Sequence, residues 1–466
     1  MDTEPYVRRS RIPFPAEAVW AWHARPGAFE RLVPPWERVR VLERTGGIAD
    51  GARVTLRARG GRWVLEHRDV IPGRRFRDVL LSGPFSRWEH THTMEPDGED
   101  ACVLEDRVEY ALPLGAAGRA ILGARVRREL DRLFAFRHER TAADLAAHAG
   151  APGRRILVTG ASGLVGSELV PYLRTGGHEV LTLGRKGADL AWDPAAGRLD
   201  AGALEGFDAV VHLAGENIAG GRWSEARKER ILRSRVDGTR LLAGALARLA
   251  APPRVLVTAS AVGWYGDRGA DVVDEAAGPG RGFLPDTCRA WEAAAAPAAD
   301  AGIRVVTLRI GVVLSPRGGA LARMLPAFRL GLGGRLGSGS QGLSWIALED
   351  LAEAIRFAIV NDFVRGPVNA VAPEPVSNAA FTRALGAALG RFAVIPMPAF
   401  AARLAFGELA DAALLTGAFV RPARLIDAGF RFRRPHVEEA LATLLGRTGP
   451  STPAGGASDG RRLRHA

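Results

Sequence analysis

Two periods of apolar residues divide the chain. Up to about residue 150 they come as short alternating runs: Ala52–Ala58, Trp63–Val70, Phe76–Leu81, Ser86–Met94 and Cys102–Tyr110. Alternation with period two predicts strands with one buried face. Turn residues separate the runs, among them Ile71-Pro72-Gly73 and Pro96-Asp97-Gly98. Pro15-Ala16-Glu17-Ala18-Val19-Trp20 predicts a short helix ahead of the strands. Behind them, Ile121, Leu122, Val126, Leu130, Leu133, Phe134 and Leu145 recur at helical spacing and predict a long helix over 117–147. A short helix, an antiparallel sheet and a long closing helix make an α+β sheet that grips a helix.

From residue 156 the pattern changes. Strand candidates at Ile156–Val158, His178–Leu183, Asp208–Gly215, Val255–Ser260 and Arg304–Ile310 alternate with helix candidates such as Glu225–Leu249 and Trp291–Ala301. That alternation predicts an α/β doubly wound parallel sheet covered on both faces. Small and turn-forming residues over 148–155 read as the linker. The expected division is 1–148, 154–370, a small C-terminal domain over 371–446, and a disordered tail over 447–466 that is rich in Gly, Pro, Ser, Thr and then Arg.

The densest chemistry lies at the first strand-to-helix turn of the second region. Gly160, Gly163 and Gly166 follow Ile156-Leu157-Val158 at three-residue spacing, and Ser167 onward reads as helix. Such a turn aims backbone N–H groups at one point near the positive end of the helix dipole. Glycines let a pyrophosphate approach the backbone closely. The expected cradle is Gly160, Ser162, Gly163, Leu164, Val165 and Gly166, with Leu213, Ala214 and Gly215 leaving room at a neighbouring strand end. Arg185 stands about 20 residues past the glycines, where an acid would read a ribose 2′-hydroxyl and an Arg a 2′-phosphate. Arg185 with Lys186 therefore points to NADP(H) ahead of NAD(H). Pro171 forfeits one helix bond and predicts a local kink.

Composition narrows the function. The net charge of +12 suggests nucleic acid. Yet Lys occurs only at 186 and 228, and the first 150 residues hold 25 Arg against 22 acids, close to balance. No basic block with interleaved aromatics appears, so no nucleic acid is expected. No apolar run is long enough for a membrane span, and Met1-Asp2-Thr3-Glu4 does not read as a signal peptide. Two cysteines, Cys102 and Cys288, fall in different regions and suit a reducing, cytoplasmic compartment. His90 and His92 share a strand face with Trp88 and Met94, but no third ligand stands at a suggestive spacing. No metal site is expected, and His67, His138 and His212 read as structural.

The 154–370 pattern resembles the extended short-chain dehydrogenase/reductases, the NAD(P)-dependent epimerase/dehydratase family. The likeness is carried by Gly160–Gly166, His212–Gly215, Ser260 ahead of Tyr265-Gly266, and Leu308-Arg309-Ile310-Gly311. Trp192-Asp193-Pro194, Ala214-Gly215-Glu216-Asn217-Ile218, Arg222-Trp223, Ser234–Thr239, Ser344-Trp345-Ile346, Pro396-Met397-Pro398, Gly407-Glu408 and Pro422–Leu425 resemble its poorly characterised "epimerase family protein" subgroup. The first region resembles START-like, polyketide cyclase-type (SRPBCC) domains, through the order of its elements and Ile12-Pro13-Phe14-Pro15-Ala16 leading into Val19-Trp20. These resemblances imply a Rossmann fold with a small C-terminal domain, preceded by a helix-grip domain whose cavity takes an apolar ligand.

The wider family works with a Tyr-x-x-x-Lys pair, in which Lys lowers the phenol pKa for proton transfer. Here Leu284-Pro285-Asp286-Thr287-Cys288 aligns with that segment, so Leu284 replaces the Tyr and Cys288 the Lys. Ser260 matches the family's serine and also lies by the cofactor, while Tyr265 lies five residues on and is the expected stand-in donor. Glu216, Asn217, Arg222 and Lys228 are further polar candidates near the strand ends. Two functions compete: an NADP(H)-dependent oxidoreductase or epimerase acting on a small-molecule substrate, and a non-catalytic NADP(H) sensor that binds an apolar ligand.

Overall fold

The computed structural model describes residues 5–447, so Met1–Glu4 and all but the first residue of the expected tail lie outside the described residues. The N-terminal part holds β1 (Tyr6–Ile12), α1 (Ala16–Ala24), α2 (Ala28–Leu32), β2 (Arg40–Arg44), β3 (Arg53–Ala58), β4 (Gly61–Ile71), β5 (Arg75–Ser82), β6 (Arg87–Pro96), β7 (Cys102–Ala111) and α3 (Gly115–His148). The seven strands form one antiparallel sheet in the order β1-β7-β6-β5-β4-β3-β2. Its inner face meets α1 and α3 through Ile12, Val19, Trp22, Met94, Leu104 and, further along, Tyr6, Val108 and Phe134. The first and second strands escaped the hydropathy pattern. Three arginines interrupt Tyr-Val-Arg-Arg-Ser-Arg-Ile, leaving only the ends of β1 buried, and arginines also stand at both ends of Arg40–Arg44.

The second part is built on β8 (Arg155–Thr159), α4 (Gly166–Thr175), β9 (Glu179–Gly184), β10 (Leu190–Asp193), β11 (Arg198–Leu199), β12 (Ala209–His212), α5 (Glu225–Leu246), β13 (Val255–Ala261), α6 (Phe283–Ala293), β14 (Arg304–Ile310), α7 (Leu348–Val360) and β15 (Gly366–Ala370). Their sheet order is β11-β10-β9-β8-β12-β13-β14-β15, all parallel except the β10–β11 pair. Order reverses at β8 and β12, the crevice where open parallel sheets bind ligands. β12 stops at His212 rather than Gly215. The helix expected over Trp291–Ala301 is two helices, because Pro297 supplies no amide and opens a new helix, Ala296–Asp300. Pro171 lies inside α4, which runs on to Thr175.

The chain after residue 371 packs back on this sheet. α8 (Asn378–Leu389) and α9 (Val437–Leu444) share a core with Leu314, Leu321 and Trp345. Phe419–Val420 pairs with Val272–Val273. The N-terminal part is pinned to the α/β part by buried charge. Arg31 grips Asp144 with two bonds of 2.7 Å and also binds Glu168 of α4. Arg25 donates to the Thr175 carbonyl at 2.8 Å, and Arg140 pairs with Glu349 at 2.7 Å. Among the described residues no helix is long and apolar enough to cross a membrane.

Candidate active site at the sheet's switch point

Backbone conformation makes the glycine turn. Gly160 leaves β8 with φ of +69°, and a Cβ there would lie 2.8 Å from the Leu213 carbonyl carbon and 2.9 Å from the Ala214 nitrogen. A Cβ on Gly166 would lie 2.4 Å from the Gly160 oxygen, which lets α4 start hard against the turn. Gly163 donates to the Gly160 carbonyl at 3.0 Å. The amides of Ala161, Ser162, Leu164 and Val165 find no acceptor among the described residues. Ser162 and Gly163 are exposed, and Leu164 and Val165 half-buried. Unpaired amides at a helix N-terminus are the donor set a pyrophosphate needs, so the residues present fit a dinucleotide. Arg185 and Lys186 stand exposed just past β9, and neither pairs with a carboxylate among the described residues.

The neighbouring strand end is held by Thr159 and His212. The Thr159 hydroxyl accepts from the Leu213 and Ala214 amides at 3.2 Å each, so its own proton goes to His212 Nδ1 at 2.7 Å. His212 Nε2 therefore carries the ring proton and donates to Thr239 at 3.0 Å. Burial holds this imidazole neutral, with its pKa down to about 4. His212 is thus structural, as expected, and positions Leu213, Ala214 and Gly215. Beside Gly215 lies Arg235, whose guanidinium sits over Trp291. Burial lowers its pKa from the ordinary value.

Ser260 and Tyr265 are brought into one network, but not one open site. The Ser260 hydroxyl donates to Glu292 at 2.7 Å. Arg309 holds the same carboxylate at 2.9 and 3.0 Å and donates to the Tyr265 hydroxyl at 3.2 Å. That hydroxyl donates onward to the Asn369 side chain at 2.7 Å. Tyr265 is fully buried, and burial pushes its phenol above the ordinary value despite Arg309. The hydroxyl of Tyr265, the expected stand-in donor, is thus engaged on both sides inside the protein. Cys288 opens toward the Ala261 carbonyl from α6, and its thiol is pushed up to about 11 by burial and Glu292. It is no nucleophile at neutral pH. Glu292 and Arg309, like Thr159, sit in strands or helices where a polar residue inside an apolar run was the available signal.

The other polar candidates serve contacts with the C-terminal chain or their own loop. Lys228 pairs with Glu408 at 3.0 Å, and Arg222 donates to the Leu404 carbonyl at 3.0 Å. Asn217 accepts from Ala219 at 2.9 Å, and Glu216 lies 3.8 Å from Arg227.

Comparison with known proteins agrees with this geometry. Residues 156–370 match the NAD dependent epimerase/dehydratase family, 397–444 a domain of unknown function (DUF1731), and 12–135 the polyketide cyclase / dehydrase and lipid transport family. The epimerase family protein Mb2239 of Mycobacterium bovis is 46% identical over 298 residues, covering 63% of this chain and 98% of that protein. Human epimerase family protein SDR39U1 is 38% identical over 296 residues, covering 62% of this chain and 99% of that protein. A crystal structure of the nucleoside-diphosphate sugar epimerase from Corynebacterium glutamicum superposes with a TM-score of 0.78 at 35% identity, covering 95% of this chain and 90% of that one. The crystal structure of human SDR39U1 with NADPH gives 0.59 at 37% identity, covering 62% and 99%. The family match over 156–370, a relative 46% identical along 98% of its own length and the Rossmann-type sheet agree: the chain belongs to the epimerase family proteins, as an atypical short-chain dehydrogenase/reductase.

Proposed function

We propose that this protein binds NADP(H) at the glycine turn and uses it for oxidoreductase or epimerase chemistry on a small-molecule substrate. The observation that carries the reading is the set of unpaired amides of Ala161, Ser162, Leu164 and Val165, closed in by Gly160 and Gly166. Arg185 and Lys186 would hold the 2′-phosphate, and Leu213, Ala214 and Gly215 the strand-end wall. The NADPH-bound human relative supports the phosphorylated cofactor. Bound there, the nicotinamide would exchange a hydride with a substrate carbon. In the oxidising direction Ser260 would take the substrate hydroxyl's proton as it passes its own to Glu292, 2.7 Å away, and in reduction the two protons would move the other way. Arg309 fixes that carboxylate, and Tyr265 acts through Arg309 as a positioning residue rather than as the donor.

One observation favours a second reading, an NADP(H) sensor without turnover: Leu284 and Cys288 replace the proton-relay pair, and the thiol stays protonated. Calorimetry with NADPH and NADH, followed by turnover on a panel of carbonyl compounds, separates the readings. The first predicts NADPH binding, and turnover that falls steeply in Ser260→Ala. NADPH binding without turnover leaves the sensor, and heat from neither cofactor sinks both.

A further inference from the structure

The helix-grip domain hides a second polar cluster that the dinucleotide reading does not use. Period two places His90 and His92 on the inner face of β6. In the sheet register His90 stands opposite Asp78 of β5, and His92 opposite Asp106 of β7. His67 of β4 also stands opposite Asp78. His90, His92 and Asp106 are each less than 5% exposed, and Phe76 stacks on His92 with 4.1 Å between ring centres.

The two imidazoles are aimed by what their outer nitrogens touch. Asp106 Oδ1 lies 2.8 Å from His90 Nε2 and 2.6 Å from His92 Nδ1, the latter off the line of a hydrogen bond. His138 Nε2 approaches the other Asp106 oxygen at 2.6 Å. This leaves His90 Nδ1 and His92 Nε2 turned toward Asp78 Oδ2, at 3.8 and 3.5 Å. One donor atom from each of Asp78, His90 and His92 lies within 4.8 Å of the others. Ligands about 2.1 Å from a tetrahedral ion stand about 3.4 Å from one another, so only a small contraction separates this triad from a coordination shell. A carboxylate behind the ligating imidazoles is the outer partner such sites carry. The third ligand that the sequence spacing failed to offer is Asp78, supplied by strand register.

The cluster is costly without a cation. Two carboxylates and several imidazoles have been taken out of water under α3, at several kcal/mol per ion. The Asp78 side chain is 19% exposed, which leaves a way in from that side.

We propose that Asp78, His90 and His92 bind one divalent first-row transition ion of the zinc or iron(II) class, with Asp106 orienting both imidazoles. Two imidazoles and one carboxylate suit that class and leave coordination positions for water or a small ligand. The site is independent of the NADP(H) reading and stands or falls separately.

The test uses the full chain without a histidine tag, stripped by chelator and titrated with Co²⁺, followed by ligand-field absorption and by metal analysis after gel filtration. The expected result is about one equivalent bound, displaced by Zn²⁺. His92→Gln and Asp78→Asn should abolish the Co²⁺ spectrum, Asp106→Asn should weaken binding about 10- to 100-fold, and His436→Gln, at an exposed histidine paired with Glu374, should change nothing. Circular dichroism checks that each variant is folded, and if one is not, the wild-type chain still decides. Folded wild-type protein that holds no Co²⁺ or Zn²⁺ at tens of micromolar overturns the proposal and leaves His92 as an imidazolium between two carboxylates. So does a Co²⁺ spectrum that survives in folded His92→Gln.

Discussion

The two polar clusters are built on opposite plans. At the glycine turn the working groups are backbone amides, left unpaired and pointing out of the sheet's end. In the helix-grip domain they are side chains that point at one another beneath a helix. The first needs only close approach, which glycine supplies within seven residues. The second needs four strands in register, from His67 to Asp106. A site made of backbone is written locally, and a site made of side chains across a sheet is written in the pairing.

That difference sets what could be read from the sequence. The glycine spacing, Arg185 and the apolar strands from Ile156 to Ile310 announced the α/β sheet and its cradle, because each signal is contiguous. Asp78 did not announce itself: only its place opposite His90 and His67 makes it a neighbour. Thr159 and Glu292 were equally silent, each a polar residue whose partner lies 53 or 32 positions away. The partners of Tyr265 were silent for the same reason. Its sequence distance from Ser260 is short, but Arg309 and Asn369 enclose its hydroxyl from distant strands.

The sharpest way to break the comparison is to attack inward-facing charge where the two regions meet. Arg31 is 3% exposed and Asp144 fully buried, and Arg31 also holds Glu168 on the helix that opens at the glycine turn. Arg31→Met leaves both carboxylates without this partner and should cost about 3–5 kcal/mol of stability in denaturant unfolding. A cost under about 1 kcal/mol would mean that buried charge here is not structural, and that the parts move as separate domains commonly do.

Outward-facing groups should instead cost binding and spare the fold. Arg185→Ala should weaken NADPH about 10- to 100-fold in calorimetry, the size of one charge-assisted hydrogen bond, and leave NADH almost unchanged. Equal losses for both would show that Arg185 does not read the 2′-phosphate. Gly166→Ala places a methyl 2.4 Å from the Gly160 oxygen and 2.5 Å from the Ala161 Cα. Relieving that clash costs about 1–3 kcal/mol, so either cofactor should bind about 10-fold more weakly. Co²⁺ binding to the other cluster should be untouched, and a parallel loss there would join sites that the geometry separates.

His212 sharpens the comparison most finely, because it is an inward-facing side chain that serves the outward-facing turn. Its Nδ1 accepts from the Thr159 hydroxyl, whose oxygen is already taken up by the Leu213 and Ala214 amides. Burial disfavours a second ring proton, which would also have to face that donor, and the folded pKa falls to about 4 against about 6.5 unfolded. The unfolded chain therefore binds the extra proton first. Stability through this group is fully present above pH 6.5, drains as pH falls toward 4, and stops changing below that. The loss amounts to at most about 1.4 kcal/mol per pH unit, one proton's worth. His212→Gln keeps a polar group at the position and removes the titration. Urea unfolding at pH 7, 6 and 5 should therefore show a shallower acid slope in the variant than in the wild type, with His148 and His178 still contributing theirs in both. Parallel slopes would mean that His212 can take its second proton in place, and that the Thr159 hydroxyl is free to turn away from the strand end.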